Sequence, residues 1–174
     1  YDGGPVFYTQ DRAGKDHKVF KIYKFRSMIT DAEANGMRRA TSNDDRITPV
    51  GKIIRATRID ELPQLLNIIK GDMSIVGPRP ERVELDAAYT NQMPEFALRL
   101  KVRGGLTGYA QVFGKYNTTP EDKLKLDLLY INQRSALLDL KLILYTIKIM
   151  FVPESTEGFE EDETTLEDIT KEQK

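Results

Sequence analysis

The chain has 174 residues, 40% hydrophobic and 30% charged, enough for one domain with a core of its own. It has no cysteine, which excludes a disulfide framework and thiolate metal sites, and its single histidine, His17, lies in the polar stretch DRAGKDHK, which argues against a histidine-based triad. The net charge of −1 divides unevenly: Pro153 to Lys174 holds nine acidic and two basic residues, a net of −7, which leaves +6 on residues 1–152.

That acidic tail, 153–174, is poor in apolar residues and is expected to be disordered and dispensable for chemistry. The basic body suits a phosphorylated ligand, nucleic acid or an anionic membrane surface. No run of about 18 uncharged apolar residues occurs and no signal-peptide pattern is visible, so neither a membrane-spanning helix nor an export signal is expected within this sequence.

In chain order, PVFYTQ and VFKIYKFRSM flank a Gly-containing polar turn and read as an antiparallel hairpin. The second run places Lys21, Tyr23, Phe25 and Ser27 on one face and Ile22, Lys24, Arg26 and Met28 on the other. That alternation suits either a basic strand facing an anion or an edge strand with snorkelling side chains. The stretch MITDAEANGMRRATSNDDR is polar, with one short helical possibility at TDAEANGM. DELPQLLNIIKGD predicts a helix of about three turns, with Asp60 as N-cap, Glu61 and Pro63 in the first turn and Gly71 as the stop.

MSIVGPRPE reads as a short extended run that ends in a stiff turn. Helices are expected over residues 82–91 and 94–102. RGGLTGYAQVFGK, with four glycines, reads as a loop. In TPEDKLKLDLLYINQ, Thr119 caps, Pro120 takes the first helical position and Asp122 completes a capping box. The last helix, over Ser135 to Phe151, is apolar around most of its circumference, with Lys141, Tyr145 and Lys148 on one side. It is either a core helix or an interfacial one with a basic stripe, and periodicity does not separate the two.

Three stretches carry residue types suited to chemistry. Asp60 and Glu61 satisfy a helix start, but an ionised carboxylate beside donors that attract phosphate is also a candidate nucleophile or metal ligand. Arg79 sits between Pro78 and Pro80, whose rings restrict the backbone on both sides. It is either a solvated residue of a rigid turn or a guanidinium ready for two-pronged phosphate contact. KIYKFRSM adds Lys24 and Arg26.

Taken together and in order, GGPVFYTQDRAG, FKIYKFRSM, DELPQLLNIIKGDMSIVGPRPE, KVRGGLTGYAQVFGK, DKLKLDLLYI and LLDLKLILYTIKIM resemble the bacterial sugar transferases, or monotopic phosphoglycosyl transferases, over nearly all of residues 3–151. The resemblance implies transfer of a sugar-1-phosphate from a UDP-sugar to polyprenyl phosphate, the first membrane step of glycan synthesis. Asp60 would be the nucleophile, carrying a covalent phosphosugar after UMP leaves, and Glu61 would be associated with Mg²⁺. Arg79 would contact phosphate. Lys24, Arg26, Arg55, Thr107 and Gln111 fall in matching segments and are expected on the substrate side. The implied location is the cytoplasmic face of the bacterial plasma membrane, with a re-entrant hydrophobic helix immediately upstream of GGPVFY.

One departure falls in the glycine-rich motif. Where relatives commonly carry Pro-Gly-Ile-Thr-Gly-Trp-Ala-Gln-Val-Asn-Gly-Arg, Gly104 to Lys115 has Tyr109 for the tryptophan and Phe113 for the asparagine. The expected fold is a single α+β domain over residues 1–152, mainly helical, with an N-terminal hairpin and amphipathic interfacial helices. Two rival readings are a single-stranded nucleic-acid binder built on KVFKIYKFR and a non-catalytic membrane adaptor using the last helix. Both leave the Asp-Glu pair and the Pro-Arg-Pro turn without a role, so no nucleic-acid partner is expected.

Overall fold

The computed structural model describes residues 3–34, 36, 40–41, 44–114 and 118–150. The acidic tail, Lys115 and Phe151 lie outside the described residues.

The N-terminal hairpin forms as expected. Strand β1 (Phe7–Ala13) pairs antiparallel with β2 (Val19–Phe25), from Phe7 opposite Phe25 to Ala13 opposite Val19. Phe7 and Phe25 stack at 5.4 Å, a cross-strand aromatic pair that fixes the register. The described part of the TDAEANGM stretch, 30–34 and 36, forms turns rather than a helix, with i to i+3 bonds such as Ala34 N to Asp31 O at 3.0 Å.

Helix α1 (Pro49–Ala56) starts at Thr48, whose hydroxyl accepts from Gly51 N at 2.9 Å, with Pro49 where a missing N–H costs nothing. The next segment departs from the expected three-turn helix. A 3-10 turn (Ile59–Glu61) comes first, then α2 (Gln64–Lys70). Asp60 is not the N-cap. It sits inside the 3-10 turn, whose entry residue Arg58 has φ 58°, a left-handed conformation that is costly for a side-chain-bearing residue. Gly71 ends α2 at φ 84°, as the sequence predicts.

Strand β3 (Met73–Val76) runs parallel to β4 (Gly104–Thr107). The second strand and helix α4 (Tyr109–Phe113) occupy the stretch expected to be a loop. Its glycines serve close approach rather than freedom: a Cβ on Gly105 would lie 2.1 Å from Gly77 N, and one on Gly77 would lie 2.5 Å from Arg103 O. Between the strands, α3 (Val83–Gln92) matches the expected helix over 82–91, while residues 94–101 wind as a 3-10 helix (Pro94–Lys101).

Helix α5 (Pro120–Gln133) begins with the expected cap, Thr119 Oγ1 accepting from Asp122 N at 3.2 Å. Its inner side joins two small cores. Leu124 packs with Tyr89 and Phe96, and Tyr130 packs with Val76 and Leu142. Helix α6 (Ala136–Met150) is partly core and partly surface: Leu142 is fully buried, while Leu137, Leu140, Leu144 and Ile147 face outward beside exposed Lys141 and Lys148. The whole is one α+β domain. Among the described residues no helix is long and apolar enough to cross a membrane.

Candidate active site

The segment holding Asp60 and Glu61 is docked by its polar side. Asn67, fully buried, donates from Nδ2 to Lys21 O at 2.8 Å and accepts from Tyr23 N at 3.0 Å, so its amide acts as a short piece of strand against the free edge of β2. This fixes α2, and the 3-10 turn before it, over Lys24. Inward go Asp60, Glu61, Gln64 and Asn67. Outward go Ile59, Leu62, Leu65, Leu66 and Ile69, the last 82% exposed. The usual polarity of a surface helix is inverted here.

Glu61 is clamped by two cations. Its Oε1 accepts from Lys24 Nζ at 2.9 Å and from Arg79 Nη2 at 2.5 Å. Burial opposes its ionisation, but Arg79 and Lys24 overcome this and hold its carboxyl well below the usual carboxylate range. Burial pulls the Lys24 ammonium below its ordinary value, against the attraction of Glu61.

Asp60 is the opposite case. It is only 7% exposed, and its carboxylate has no hydrogen bond or ion pair among the described residues. Burial pushes its pKa up, with Glu61 adding to the push and Lys24, Arg55 and Arg58 pulling the other way. A carboxylate that is more basic than usual and tied to nothing is the better nucleophile of the two, and neighbouring acids pushed in opposite directions mark a division of roles.

Arg79 reaches Glu61 with one nitrogen only. Its Nε and Nη1 carry no hydrogen bond among the described residues and its side chain is 38% exposed, so the guanidinium keeps donors to spare for a ligand. Of the other residues expected from sequence, Arg55 stands close enough to act on the charge of Asp60 and has no ion pair among the described residues. Gln111 has both amide atoms buried without a hydrogen-bond partner, its Oε1 pressed toward Gly108, which in turn abuts Gly77 just before the turn.

Arg26 and Thr107 are engaged elsewhere. Arg26 donates from Nε to Pro5 O at 2.6 Å and from Nη1 to Met28 O at 3.2 Å, pinning the chain on either side of the hairpin. Thr107 is buried, with Oγ1 2.6 Å from Thr146 Oγ1, in the contact between β4 and α6. The KVFKIYKFR run forms no open stacking platform either, because Phe25 stacks on Phe7, the Tyr23 hydroxyl takes Lys70 Nζ at 2.7 Å and Lys24 is held by Glu61.

Sequence reasoning missed Arg58, Asn67 and the buried pair of Arg99 and Asp127. The readable trace of the last was an acid on the apolar stripe of α5, three residues after Leu124 and three before Tyr130. An acid there announces a buried cationic partner.

For a divalent cation the donor set is small. No group of three His, Cys, Asp or Glu side chains gathers among the described residues. Mg²⁺ keeps several waters, however, and needs only one or two carboxylates beside substrate phosphates. Glu61 Oε2, which accepts no hydrogen bond among the described residues, and the unpaired Asp60 carboxylate fit that requirement.

Comparison with known proteins agrees in one direction. The family described as "Bacterial sugar transferase" matches residues 1–153. A UDP-N-acetylgalactosamine-undecaprenyl-phosphate N-acetylgalactosaminephosphotransferase of Aeromonas hydrophila is 43% identical over 148 residues, 83% of this chain and 35% of that protein. A UDP-glucose:undecaprenyl-phosphate glucose-1-phosphate transferase of Klebsiella pneumoniae is 43% identical over 157 residues, 87% of this chain and 34% of that protein. The exopolysaccharide production protein PSS of Rhizobium leguminosarum bv. phaseoli is 40% identical over 164 residues, 89% of this chain and 80% of that protein. The chain spans about a third of the length of the first two. With the family matched along almost its whole length, and with the acidic pair and the Pro-Arg-Pro turn brought together in space, this chain belongs to the bacterial sugar transferases.

Proposed function

We propose that this chain is the transferase unit that moves a sugar-1-phosphate from a UDP-sugar to polyprenyl phosphate. An Asp60 carboxylate oxygen attacks the sugar-bearing phosphorus, the bond from that phosphorus to the UMP oxygen breaks, and UMP leaves with the electron pair. An oxygen of polyprenyl phosphate then attacks the same phosphorus and frees the Asp60 carboxylate. A mixed carboxylic–phosphoric anhydride keeps enough transfer potential for the second step. The observation that carries this reading is the contrast within the acidic pair: Asp60 buried and unpaired, Glu61 neutralised by Lys24 and Arg79.

Arg79, with donors to spare beyond its bond to Glu61, contacts phosphate, and Lys24 and Arg55 add positive charge around the reacting group. Gln111, its unpaired amide buried behind Gly108, is kept as a substrate-side residue only by the resemblance to the family. Glu61 is the residue we assign to Mg²⁺, which when bound screens charge between two anionic reactants. The sugar is taken as a class, since the relatives' names include both N-acetylgalactosamine and glucose.

The setting for the acceptor is the cytoplasmic membrane surface. The outward apolar row of Ile59, Leu62, Leu65, Leu66 and Ile69, continued by Val50 and Ile53 of α1, lies on the reverse of the segment that carries Asp60. An apolar face of this size on a basic body suits lipid. It brings the nucleophile close to the depth at which a lipid-linked phosphate would arrive.

The test is an intact-mass spectrum after incubation with UDP-glucose, UDP-galactose or UDP-N-acetylgalactosamine and Mg²⁺. One phosphosugar should add to the native chain, with release of UMP, and leave again when polyprenyl phosphate is supplied in detergent. Asp60→Asn should take up none, with turnover down by roughly 10⁴-fold or more, the scale seen when a nucleophile is removed. An adduct that persists on the Asp60→Asn variant, or none on the native chain with any of the three, overturns the reading.

A further inference from the structure

The Pro78–Arg79–Pro80 turn has a single amide N–H of its own, that of Arg79, because neither proline has one to donate. Its carbonyls are gripped from outside. Pro78 O accepts from Gly105 N at 2.9 Å, Pro80 O from Arg12 Nη1 at 3.3 Å and Glu81 O from Ala13 N at 3.0 Å. The carbonyl of Arg79 itself accepts from Arg99 Nη2 at 2.9 Å. Four successive carbonyls are thus held by donors from β4, β1 and the 94–101 helix.

The last of these donors differs from the others. Arg99 is buried, lies 4.5 Å over the Phe96 ring and gives its Nε to Asp127 Oδ2 of α5 at 2.7 Å. Both side chains are nearly inaccessible, 4% and 2% exposed. A buried ion pair adds little to stability on its own, since apolar side chains of similar volume often do as well. Here the pair does something an apolar pair cannot: it presents a fixed N–H to the backbone of the arginine that faces Glu61.

We infer that Arg99 and Asp127 form a positioning pair for Arg79. Asp127 orients the Arg99 guanidinium, Arg99 fixes the Arg79 carbonyl, and the Arg79 fork is thereby set between Glu61 and the phosphates of a nucleoside diphosphate. The assignment rests on the reading of Arg79 as a phosphate contact, but it does not require Asp60 to be a nucleophile.

The test is a double-mutant cycle on UDP affinity, measured by calorimetry on the 174-residue chain. Replacing both partners at once, Arg99→Met with Asp127→Leu, orphans neither member of the pair, and Glu81, whose charge Arg99 also favours, keeps Lys123, Arg12 and Arg79 around it, so the variant should fold with a Tm near that of the native chain. UDP should bind about tenfold more weakly to this protein, one step on the affinity scale. In an Arg79→Lys background the same pair of changes should alter UDP affinity by less than about twofold, because the group being positioned is already lost.

Equal losses in the two backgrounds would show that the pair acts on the fold in general and would overturn the inference. So would unchanged UDP affinity in the apolar double variant, or no UDP binding by the native chain. Failure of Asp60→Asn to abolish the phosphosugar adduct would remove the proposed reaction without touching this cycle.

Discussion

The segment from Ile59 to Lys70 and helix α5 draw on similar residue types and point them in opposite directions. In α5 the apolar Leu124 and Tyr130 go inward and the charges go outward, with one acid, Asp127, admitted to the core beside Arg99. In the earlier segment Asp60, Glu61, Gln64 and Asn67 go inward and five large aliphatic side chains face out. Helix α5 follows the ordinary rule for a helix in water. The other segment breaks it, and the broken rule coincides with the candidate catalytic pair. A polar interior facing Lys24 and Arg79 is what a phosphate-handling site needs, and an apolar exterior is what a lipid surface needs. Under the proposed function one short stretch serves both demands, and it does so by giving up the usual pattern.

The sharpest way to test this contrast is to remove the buried acid from each region. Asp127→Leu alone leaves Arg99 charged, buried and unpaired, and should lower stability by about 3–5 kcal/mol in chemical denaturation. Adding Arg99→Met should recover most of that loss. Asp60→Asn removes an acid that is nearly as buried but has no partner to orphan, so it should not destabilise the chain at neutral pH. If the two single variants lost stability equally, the distinction between a structural and a poised carboxylate would fall.

The outward face gives the next largest effect. Leu66→Glu with Ile69→Glu should leave Tm almost unchanged, since both side chains are solvent-exposed. Binding to phosphatidylglycerol vesicles should fall by at least about tenfold, because burying each such side chain contributes about 1.5–3 kcal/mol. The same substitutions at Leu137 and Leu140 of α6 separate the two apolar surfaces. A smaller loss there places the lipid contact on α2, whereas a loss confined to α6 moves it to the last helix. Equal pelleting of native and α2-substituted chains would sink the proposal for the Ile59 to Ile69 face.

What the sequence disclosed depended on whether a local rule was being kept. The hairpin and α5 were legible because period-two alternation and the Thr119–Pro120–Asp122 cap each specify one local geometry. The Gly104–Thr107 strand was misread as loop because glycine normally signals conformational freedom, whereas here it makes room for the backbone of Gly77. Asp60 looked like a cap because nothing in IDELPQ announces that Arg58 turns left-handed and tightens the entry into a 3-10 turn. The acidic pair and Arg79 could be singled out by residue type. That Glu61 would hold both Lys24 and Arg79, and that Thr107 would be engaged with Thr146, are tertiary facts with no local signature.

The smallest expected effect is on pH dependence, and it isolates Asp60. Its neighbours are Lys24 on β2, Arg55 at the end of α1, Arg58 and Glu61. The three cations favour its ionised form, yet burial, helped by Glu61, wins and raises its pKa in the folded chain. A carboxyl whose folded pKa lies above its unfolded value, about 3.9 for an aspartate, makes its full contribution to stability below the unfolded value and loses it as pH rises through the folded one. At pH 7 the native chain therefore bears the cost of a charged, unpaired Asp60. Asp60→Asn removes that cost and should raise Tm at pH 7 by less than either effect above. The difference should shrink as pH falls through the folded pKa of Asp60 and level off by about 4, below which Asp60 is protonated in both states. Glu61 behaves in the opposite sense: its depressed pKa contributes stability above its unfolded value that is lost on acidification through the folded one. Because both proteins contain Glu61, most of that acid loss cancels when their Tm curves are subtracted. A native chain more stable than the Asp60→Asn variant at pH 7, with the advantage lost in acid, would mean that Asp60 is held by an ion pair after all, and the division of labour between the two carboxylates would have to be abandoned.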